Sequence, residues 1–284
     1  WSVNAVSPSA AAPAVGTHGK VLAVFVLGSK AYQFADHAFR TWDPQKVDFL
    51  LMVYDEWPDV YQLPVASRAT IVFVKRQMKF WYFSRFLPEY LASMYDLVMI
   101  IDADCGLASL DLPKFTDTVL RSGVIIAQPA VMFQGRGTSD HPICRVHGGN
   151  HTGRWTNFIE GGPFFAVRGD RWDCFQHFLD VDMVSGWGVD FFWCPYVAGH
   201  CNPDPIAKPG EPLIESQPPG APKAPTHRAC AIIDVTPITH EDSREARNLR
   251  PDLRDKSGAE WHLLSQRYPA EAGRADSNSY RLFW

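Results

Sequence analysis

The chain has 284 residues, of which 46% are hydrophobic, and a formal net charge of −4 from 27 basic and 31 acidic residues. This composition provides the side chains for a sizeable core and argues against global disorder. The lack of a long basic run argues against a nucleic-acid-binding surface, and no run approaches the roughly 18 apolar residues of a membrane span. We expect one domain over residues 19–284, preceded by a linker rich in Ala, Pro, Ser and Val over residues 1–18.

Strand and helix patterns alternate over the first half of the chain. Apolar runs predict strands at residues 20–28, 47–54 and 69–74, and helical apolar patterns predict helices at 31–42 and 80–94. This alternation is typical of an α/β domain with a mostly parallel central sheet and helices on both faces. Ligands of such sheets bind beyond the carboxyl ends of the strands. The features that we expect on that rim are Gly28, Asp55, residues 75–79 and Asp102.

The second half has a less regular pattern. Its predicted elements are a helix at 115–122, a strand at 124–128, a long loop at 133–155, a strand at 158–167 interrupted by Gly161-Gly162-Pro163, a helix at 172–181, a Pro-rich surface excursion at 202–226 and a strand at 231–235. Six cysteines permit disulfides, for which fifteen complete pairings exist, and Asn150-His151-Thr152 fits a glycosylation acceptor. Both features are compatible with a secretory compartment.

The motif Asp102-Ala103-Asp104 directly follows the apolar run of residues 97–101. Such a run predicts a buried strand that ends at the edge of its sheet. Because side chains two residues apart on a strand point to the same side, both carboxylates can face one point. Two such oxygen ligands suit Mg²⁺ or Mn²⁺ shared with substrate phosphates. The alternative is a pair of solvated acids at the end of a strand.

Three further acidic or imidazole side chains are candidates for chemistry. Asp190, which follows Gly186-Trp187-Gly188-Val189, could take a proton from an acceptor hydroxyl or cap the start of a helix. Glu160 precedes two glycines that allow a backbone to approach a sugar closely, and it is either an alternate base or an exposed acid at a strand bulge. His240 could complete the coordination of an ion or lie in a surface turn.

Cationic side chains near the rim, including Lys79 and Arg85, could offset diphosphate charge or mark the solvated start of a helix. The Gly-rich P-loop and dinucleotide motifs and the esterase G-x-S-x-G motif are absent from the sequence, which removes the main support for those three classes. His141, His147 and His151 are assigned to the surface of the long loop.

Taken in order, these clusters resemble those of GT-A-fold glycosyltransferases, which have a nucleotide-binding strand, a D-x-D metal motif, a Gly-containing loop, an acidic base at a helix start and a late metal-binding His. More closely, the sequence resembles a plant-type family known as domain of unknown function 707. The segments that carry this resemblance are residues 52–55, 79–87, 101–104, 127–130, 158–160 and 186–190, within residues 48–242. Ala103 stands where the family commonly has Glu or Asp.

The resemblance implies a single GT-A-like domain that moves a sugar from a UDP-linked donor to an acceptor hydroxyl. A base opposite the leaving group implies that this transfer inverts the anomeric carbon. It implies Mn²⁺ or Mg²⁺ bound by Asp102, Asp104 and His240, with Asp190 as the base and Glu160 as its alternate. The residues implied to contact the donor are Gly28, Ser29, Asp55, Lys79, Arg85, Asp102, Ala103, Gly161, Gly162 and Trp187.

The expected partners are the nucleotide-sugar donor and a glycan or glycoprotein acceptor. A chain that begins at Trp1 fits the lumenal part of a Golgi protein separated from its membrane anchor. Two alternatives remain. One is a glycoside hydrolase with Glu160 and Asp190 as its carboxylate pair, and the other is a non-catalytic module that binds carbohydrate through aromatic side chains.

Overall fold

A central ten-stranded sheet organises the chain. The computed structural model describes residues 19–30, 32–75, 77–132, 141–179, 183–206, 225–240, 253–271 and 280–283. Its strands are β1 (Val21–Leu27), β2 (Val47–Val53), β3 (Ala69–Phe73), β4 (Leu97–Asp102), β5 (Cys105–Gly106), β6 (Ile126–Val131), β7 (Gly153–Thr156), β8 (Phe164–Arg168), β9 (Cys230–His240) and β10 (Tyr280–Phe283). Its α-helices are α1 (Tyr32–Thr41), α2 (Lys79–Phe86), α3 (Glu89–Ala92), α4 (Leu112–Ser122), α5 (Trp172–Phe178), α6 (Trp193–His200) and α7 (Leu253–Arg267).

The strand order across the sheet is β10-β7-β9-β6-β8-β4-β1-β2-β3, with β5 paired to β9. One half is a parallel block in the order β4-β1-β2-β3. In the other half β6 and β9 are parallel, whereas β8 is antiparallel to β4 and β6 and β7 is antiparallel to β9 and β10. Of the nine strands along this path, all but β7 and β8 share one direction. The predicted mostly parallel α/β sheet is confirmed.

Helices cover both faces of the sheet, as predicted. Phe25 of β1 packs against Phe39 of α1, with ring centroids 5.1 Å apart, and α4 contributes Phe115 to the same buried cluster. Val24, the neighbour of Phe25, belongs to the opposite cluster, together with residues of α2, α3, α5 and α6 such as Phe83. Because alternate side chains of β1 face two different helical layers, the strand is buried on both sides, which explains its continuous apolar run.

Several predicted elements have different bounds in the structure. The helix predicted at 80–94 is two helices, because Pro88 adopts an extended backbone (ψ 154°) between α2 and α3 and has no N–H for a continuous helix. The loop predicted at 133–155 contains the first residues of β7, and the strand predicted at 231–235 lies in the first half of the longer β9. The strand predicted at 158–167 is wrong over residues 158–163, which form a loop before β8. The predicted linker at 1–18 and most of the Pro-rich excursion, residues 207–224, lie outside the described residues.

Two disulfides join the helices to each other and to the sheet. Cys174 of α5 is bonded to Cys201, which follows α6, and Cys194 of α6 is bonded to Cys230 of β9. Cys105 and Cys144 are buried and lie outside these two disulfides. The sequence alone left all pairings open, because pairing depends on which helices become neighbours. In the described part of the chain, the helices are too short or too polar to cross a bilayer.

Candidate active site

The Asp102-Ala103-Asp104 motif lies at the carboxyl end of β4, as the apolar run predicts. Asp102 is in register with Val26 near the end of β1, and its N–H donates to the Pro163 carbonyl oxygen at 2.8 Å. Ala103 is 3% exposed and its methyl group belongs to an apolar cluster. Any donor contact at Ala103 is therefore restricted to its backbone.

His240 is brought to Asp104 by a strand pairing that the sequence did not predict. Cys105 of β5 lies opposite His240, the last residue of β9. The Nε2 atom of His240 is 3.6 Å from the Oδ1 atom of Asp104. Burial lowers the pKa of the His240 imidazole, but the hydrogen bond and charge of Asp104, together with the charges of Asp102 and Glu160, raise it more, so the pKa lies above its ordinary value. His240 is thus part of a strand and of this cluster, and the surface-turn interpretation is wrong.

Lys79, the first residue of α2, provides the positive charge of the cluster. Its Nζ atom lies 2.7 Å from the Oδ2 atom of Asp102, and its side chain is only 12% exposed. Burial raises the pKa of the Asp102 carboxyl, the ammonium of Lys79 lowers it and the charge of Asp104 raises it, with a net increase. The ammonium therefore offsets part of the repulsion between two adjacent carboxylates.

The glycine loop after Glu160 packs directly on these charges. A Cβ atom at Gly162 would lie 3.3 Å from both the Asp102 Oδ2 and the Lys79 Nζ atoms. The N–H of Gly161 donates to the Oδ1 atom of Asp190 at 2.5 Å, and a Cβ atom at Gly161 would lie 2.6 Å from that oxygen. The close approach at Gly161 leaves no room for a Cβ atom unless Asp190 shifts. The loop joins the Asp102–Lys79 pair to Asp190.

Asp190 lies in a short 3-10 turn (Val189–Phe191) before α6. Its carboxylate accepts a hydrogen bond from Gly161 of another loop, and neither this turn nor α6 has a side-chain N-cap hydrogen bond. The helix-cap interpretation is therefore wrong. Burial raises the pKa of Asp190 to about 6, against the lowering effects of the Gly161 N–H and of Lys79. A carboxyl group with such a pKa is suited to general base catalysis near neutral pH.

Glu160 and Asp190 have different surroundings. The backbone N–H of Glu160 donates to the Oε1 atom of the buried Gln128 at 3.1 Å, and the charge of Glu160 raises the pKa of His240. Asp190 instead feels the charge of Lys79. The charge of Glu160 therefore acts on the partner of Asp104, which is His240. The partner of Asp102, which is Lys79, acts on Asp190.

A second part of the site lies where β1 and β2 end. The Oδ2 atom of Asp55 accepts hydrogen bonds from the backbone N–H (2.8 Å) and hydroxyl (2.7 Å) of Ser29. The Oδ1 atom of Asp55 is buried and has no hydrogen-bond partner within the described residues. Gly28 lies against the ring of Tyr54, where a Cβ atom would come within 2.5 Å of a ring carbon. This arrangement leaves one carboxylate oxygen available to a ligand's donor.

Two predicted donor contacts lie on the surface. The Arg85 side chain is exposed, stacks on the Trp81 ring at 4.7 Å and donates to the Trp81 carbonyl oxygen. Six residues after Lys79, it is turned by about 240° and displaced by about 9 Å along α2, so it does not face Asp102. Trp187 is 55% exposed.

The sequence analysis missed two residues that shape the site. Glu260 of α7 is 6% exposed, and its carboxylate accepts hydrogen bonds from the four consecutive N–H groups of residues 184–187 and from the Ser185 hydroxyl. Phe80 lies between the two loops, because Cβ atoms at Gly161 and Gly186 would contact its ring at 3.3 and 2.1 Å. A glutamate on a mixed-charge segment and a phenylalanine in a helix carry no local sign of these roles.

The sequence analysis also missed a buried ion pair between β7 and β9. Both Asp234 carboxylate oxygens accept hydrogen bonds from the guanidinium of Arg154, at 2.9 and 3.0 Å. The side chain of His151 is only 7% exposed and lies 3.3 Å from the same carboxylate, so its predicted surface position is wrong. This pair fixes β7 on β9 and is separate from the Asp104–His240 contact.

Asp104 and His240 are the two side chains best suited to a cation. The Nδ1 atom of His240 is buried without a hydrogen-bond partner in the described residues, so the imidazole is not committed to a second protein group. No cluster of three or more His, Cys, Asp or Glu side chains within the described ranges is arranged to hold an ion alone. A set of one or two protein ligands fits Mg²⁺ or Mn²⁺ that takes its other ligands from phosphates and water.

Comparison with known proteins assigns the chain to a family. The sequence model of the family "Protein of unknown function (DUF707)" matches residues 7–273. The chain belongs to the DUF707 family. A search of curated proteins finds no significant match to this DUF707 protein.

Several solved structures align with the DUF707 fold. Staphylococcus aureus TarS aligns at a TM-score of 0.47 and 9% identity over 87% of this chain, which spans 43% of the TarS chain. TarS 1–349 in complex with UDP aligns at 0.45 and 8% identity, with 88% and 72% of the two chains covered. The mannosyltransferase PcManGT from Pyrobaculum calidifontis, in complex with GDP-Man and Mn²⁺, aligns at 0.43 and 11% identity, with 90% and 66% covered. At TM-scores below 0.5 these alignments define no activity for the chain.

Proposed function

We propose that this DUF707 protein is a metal-dependent glycosyltransferase that uses a nucleoside diphosphate-sugar donor. The observation that carries the proposal is a charged cluster in which Asp104 lies against His240 and Asp102 against Lys79. The Gly161-Gly162 loop joins the Asp102–Lys79 pair to Asp190. This set combines ligands for a divalent cation, an ammonium group for phosphate and a carboxyl group with a pKa of about 6. The three functions are those that transfer of a sugar from a diphosphate requires.

Asp190 is the proposed general base. Its carboxylate accepts the proton of the acceptor hydroxyl while the acceptor oxygen bonds to the anomeric carbon. The bond between that carbon and the diphosphate oxygen breaks, and its electron pair leaves with the diphosphate. Attack on the face opposite the leaving group inverts the anomeric configuration. NMR analysis of the first-formed product tests this step, and a retained configuration would contradict it.

Asp104 and His240 are the proposed protein ligands of Mn²⁺ or Mg²⁺, with Asp102 beside them. Such an ion supplies Lewis-acid stabilisation of the departing diphosphate when it is bound. Asp102 holds the Lys79 ammonium at 2.7 Å, and Lys79 contributes positive charge from a nearly buried position. A cation held in a site that excludes water stabilises developing negative charge more strongly than one in bulk solvent.

Asp55 is the proposed contact for the nucleoside. Its Oδ2 atom is occupied by Ser29, whereas its buried Oδ1 atom is available to an N–H or O–H group of a base or ribose. A buried acceptor without a partner carries a desolvation cost that a bound donor group removes. The choice of UDP over other nucleotides rests on the sequence resemblance.

The two disulfides support a lumenal location in the secretory pathway. We propose the Golgi as the compartment. Disulfides persist in oxidising compartments and are rare in the cytosol. The proposed acceptor is correspondingly a glycan or glycoprotein. Fractionation of cells that produce the tagged full-length protein tests the location, and recovery in the cytosol with all thiols reduced would refute it.

The direct test is release of free nucleoside diphosphate from a panel of nucleotide sugars, with and without Mn²⁺. We expect metal-dependent turnover of one donor by the wild type and loss of about 10²–10⁴ in rate for Asp190→Asn. The matched control is Asp117→Asn, an exposed aspartate of α4 that is paired with Arg121. Cleavage of an oligosaccharide without nucleotide would instead favour a hydrolase that uses Glu160 and Asp190, and saturable sugar binding without turnover would favour a binding module.

A further inference from the structure

Trp187 is a large, exposed side chain on the turn that leads to the proposed base. It is 55% exposed and lies three residues before Asp190. A second tryptophan, Trp261 of α7, is 37% exposed and lies against Gly188, where a Cβ atom would come within 2.6 Å of its ring. Single exposed apolar residues are common on protein surfaces. Here one indole belongs to the turn before Asp190, and a second indole packs against the same turn.

The turn that carries Trp187 has a fixed backbone. The Glu260 carboxylate accepts hydrogen bonds from the Gly186 N–H at 2.8 Å and from the Trp187 N–H at 3.3 Å, in addition to its contacts with residues 184 and 185. On the inner side, Gly186 abuts Phe80, whose ring also contacts Gly161. A binding side chain on a preorganised backbone loses less entropy when a ligand docks.

We propose that Trp187, on a turn held by Glu260 and backed by Trp261 at Gly188, is a stacking platform for a sugar ring of a carbohydrate acceptor. The inference rests on the proposed function and names its acceptor class. The flat face of an indole suits the apolar C–H face of a sugar, while the ring hydroxyls remain free for polar contacts. A ring stacked on Trp187 presents a hydroxyl towards Asp190, which needs an O–H proton to accept. The position favours the acceptor over the donor, because Trp187 lies three residues before the proposed base Asp190. Lys79, the proposed phosphate contact, lies instead at the start of α2.

The test measures sugar binding without requiring turnover. Neutral di- to tetrasaccharides of glucose, galactose, xylose and mannose are titrated by calorimetry into the full chain, with saturating UDP and Mn²⁺. We expect saturable binding of at least one sugar series by the wild type. Trp187→Ala weakens that binding by about tenfold or more, and Trp187→Phe restores part of it. The matched control Tyr90→Ala removes an aromatic side chain that is 76% exposed on α3, and it leaves the affinity unchanged.

The outcomes separate the platform from the proposed function. Affinity for the same sugar that is equal in Trp187→Ala and wild type overturns the platform, as does the absence of binding by every sugar in the panel. Loss of sugar binding in Trp187→Ala, combined with a wild-type protein that turns over no nucleotide sugar, supports the platform and refutes the transferase. Thermal unfolding checks that each variant is folded. Substitution of an exposed side chain should change the free energy of unfolding by less than about 0.5 kcal/mol.

Discussion

Replacing Asp190 with Asn should make the protein more stable and far less active. The carboxylate is buried, which raises its pKa to about 6, so at neutral pH the folded protein holds an ionised group in surroundings that favour the neutral form. Asn has nearly the same shape, carries no charge and keeps an oxygen that can accept the hydrogen bond from the Gly161 N–H. The substitution therefore removes the ionisation cost and the base together.

The size of the stability gain follows from the difference between the folded and unfolded pKa values. The ordinary pKa of aspartate is about 3.9, and a pKa about 2 higher corresponds to about 3 kcal/mol. Solvent partly reaches Asp190, so we expect a gain of about 1–3 kcal/mol at pH 7.5, or a rise in Tm of roughly 2–8 °C. A raised folded-state pKa stabilises the protein fully below pH 4, and this contribution is lost as the pH rises through about 6. The gain should therefore vanish at pH 4.

The assay is a pair of thermal unfolding series from pH 4 to pH 8, for Asp190→Asn and the wild type without ligands. Asp117→Asn, on the exposed face of α4, is the control and should stay within about 0.5 kcal/mol of the wild type. In the wild type, kcat/KM should rise with pH through about 6, because this quantity reports the base of the free enzyme. A variant that is destabilised at pH 7.5, or stabilised equally at pH 4, would refute the reasoning.

Two further predictions follow from close contacts. Gly161→Ala places a methyl group 2.6 Å from Asp190 Oδ1. The hydrogen bond between Gly161 and Asp190 is then lost, so kcat should fall by about tenfold or more. The control Gly199→Ala, at a helix position with open space, should leave kcat unchanged. Equal kcat values for the two variants would contradict this geometry. Replacing Cys194 and Cys230 with Ser should lower the free energy of unfolding by about 2–4 kcal/mol. Denaturant titration measures this decrease in the free energy of unfolding. Thiol counting on the unfolded wild type should find only two thiols, those of Cys105 and Cys144.

The sequence predicted the parallel half of the sheet because its strands are buried on both faces and bounded by turns. The same reasoning located Asp102 at a strand end, whereas the two glycines were connected with the donor site only by the family resemblance. Pro88 itself indicates the break between α2 and α3. The predicted helix nevertheless continues beyond Pro88, because the apolar pattern resumes in α3. Local pattern was sufficient where burial is uniform along an element.

Local pattern failed where burial depends on a distant partner. Arg154 interrupts the apolar signal of β7, and it is buried only because Asp234 on β9 neutralises it. The polar Asp234 and Thr236 likewise hid the length of β9, which is what carries His240 to Asp104. The sequence around Glu260 indicates a surface charge. The side chain is buried only because the N–H groups of residues 184–187 donate to it. These contacts join segments more than 70 residues apart, and no short window of sequence contains both partners.

The most direct test of the account is calorimetric binding of UDP with Mn²⁺ or with a chelator. The account predicts that the wild type binds UDP much more tightly with Mn²⁺, and that Asp104→Ala abolishes this dependence on Mn²⁺ while Asp117→Ala retains it. UDP binding that is unaffected by both the chelator and the loss of Asp104 would contradict the proposal that this carboxylate holds the cation for a nucleoside diphosphate.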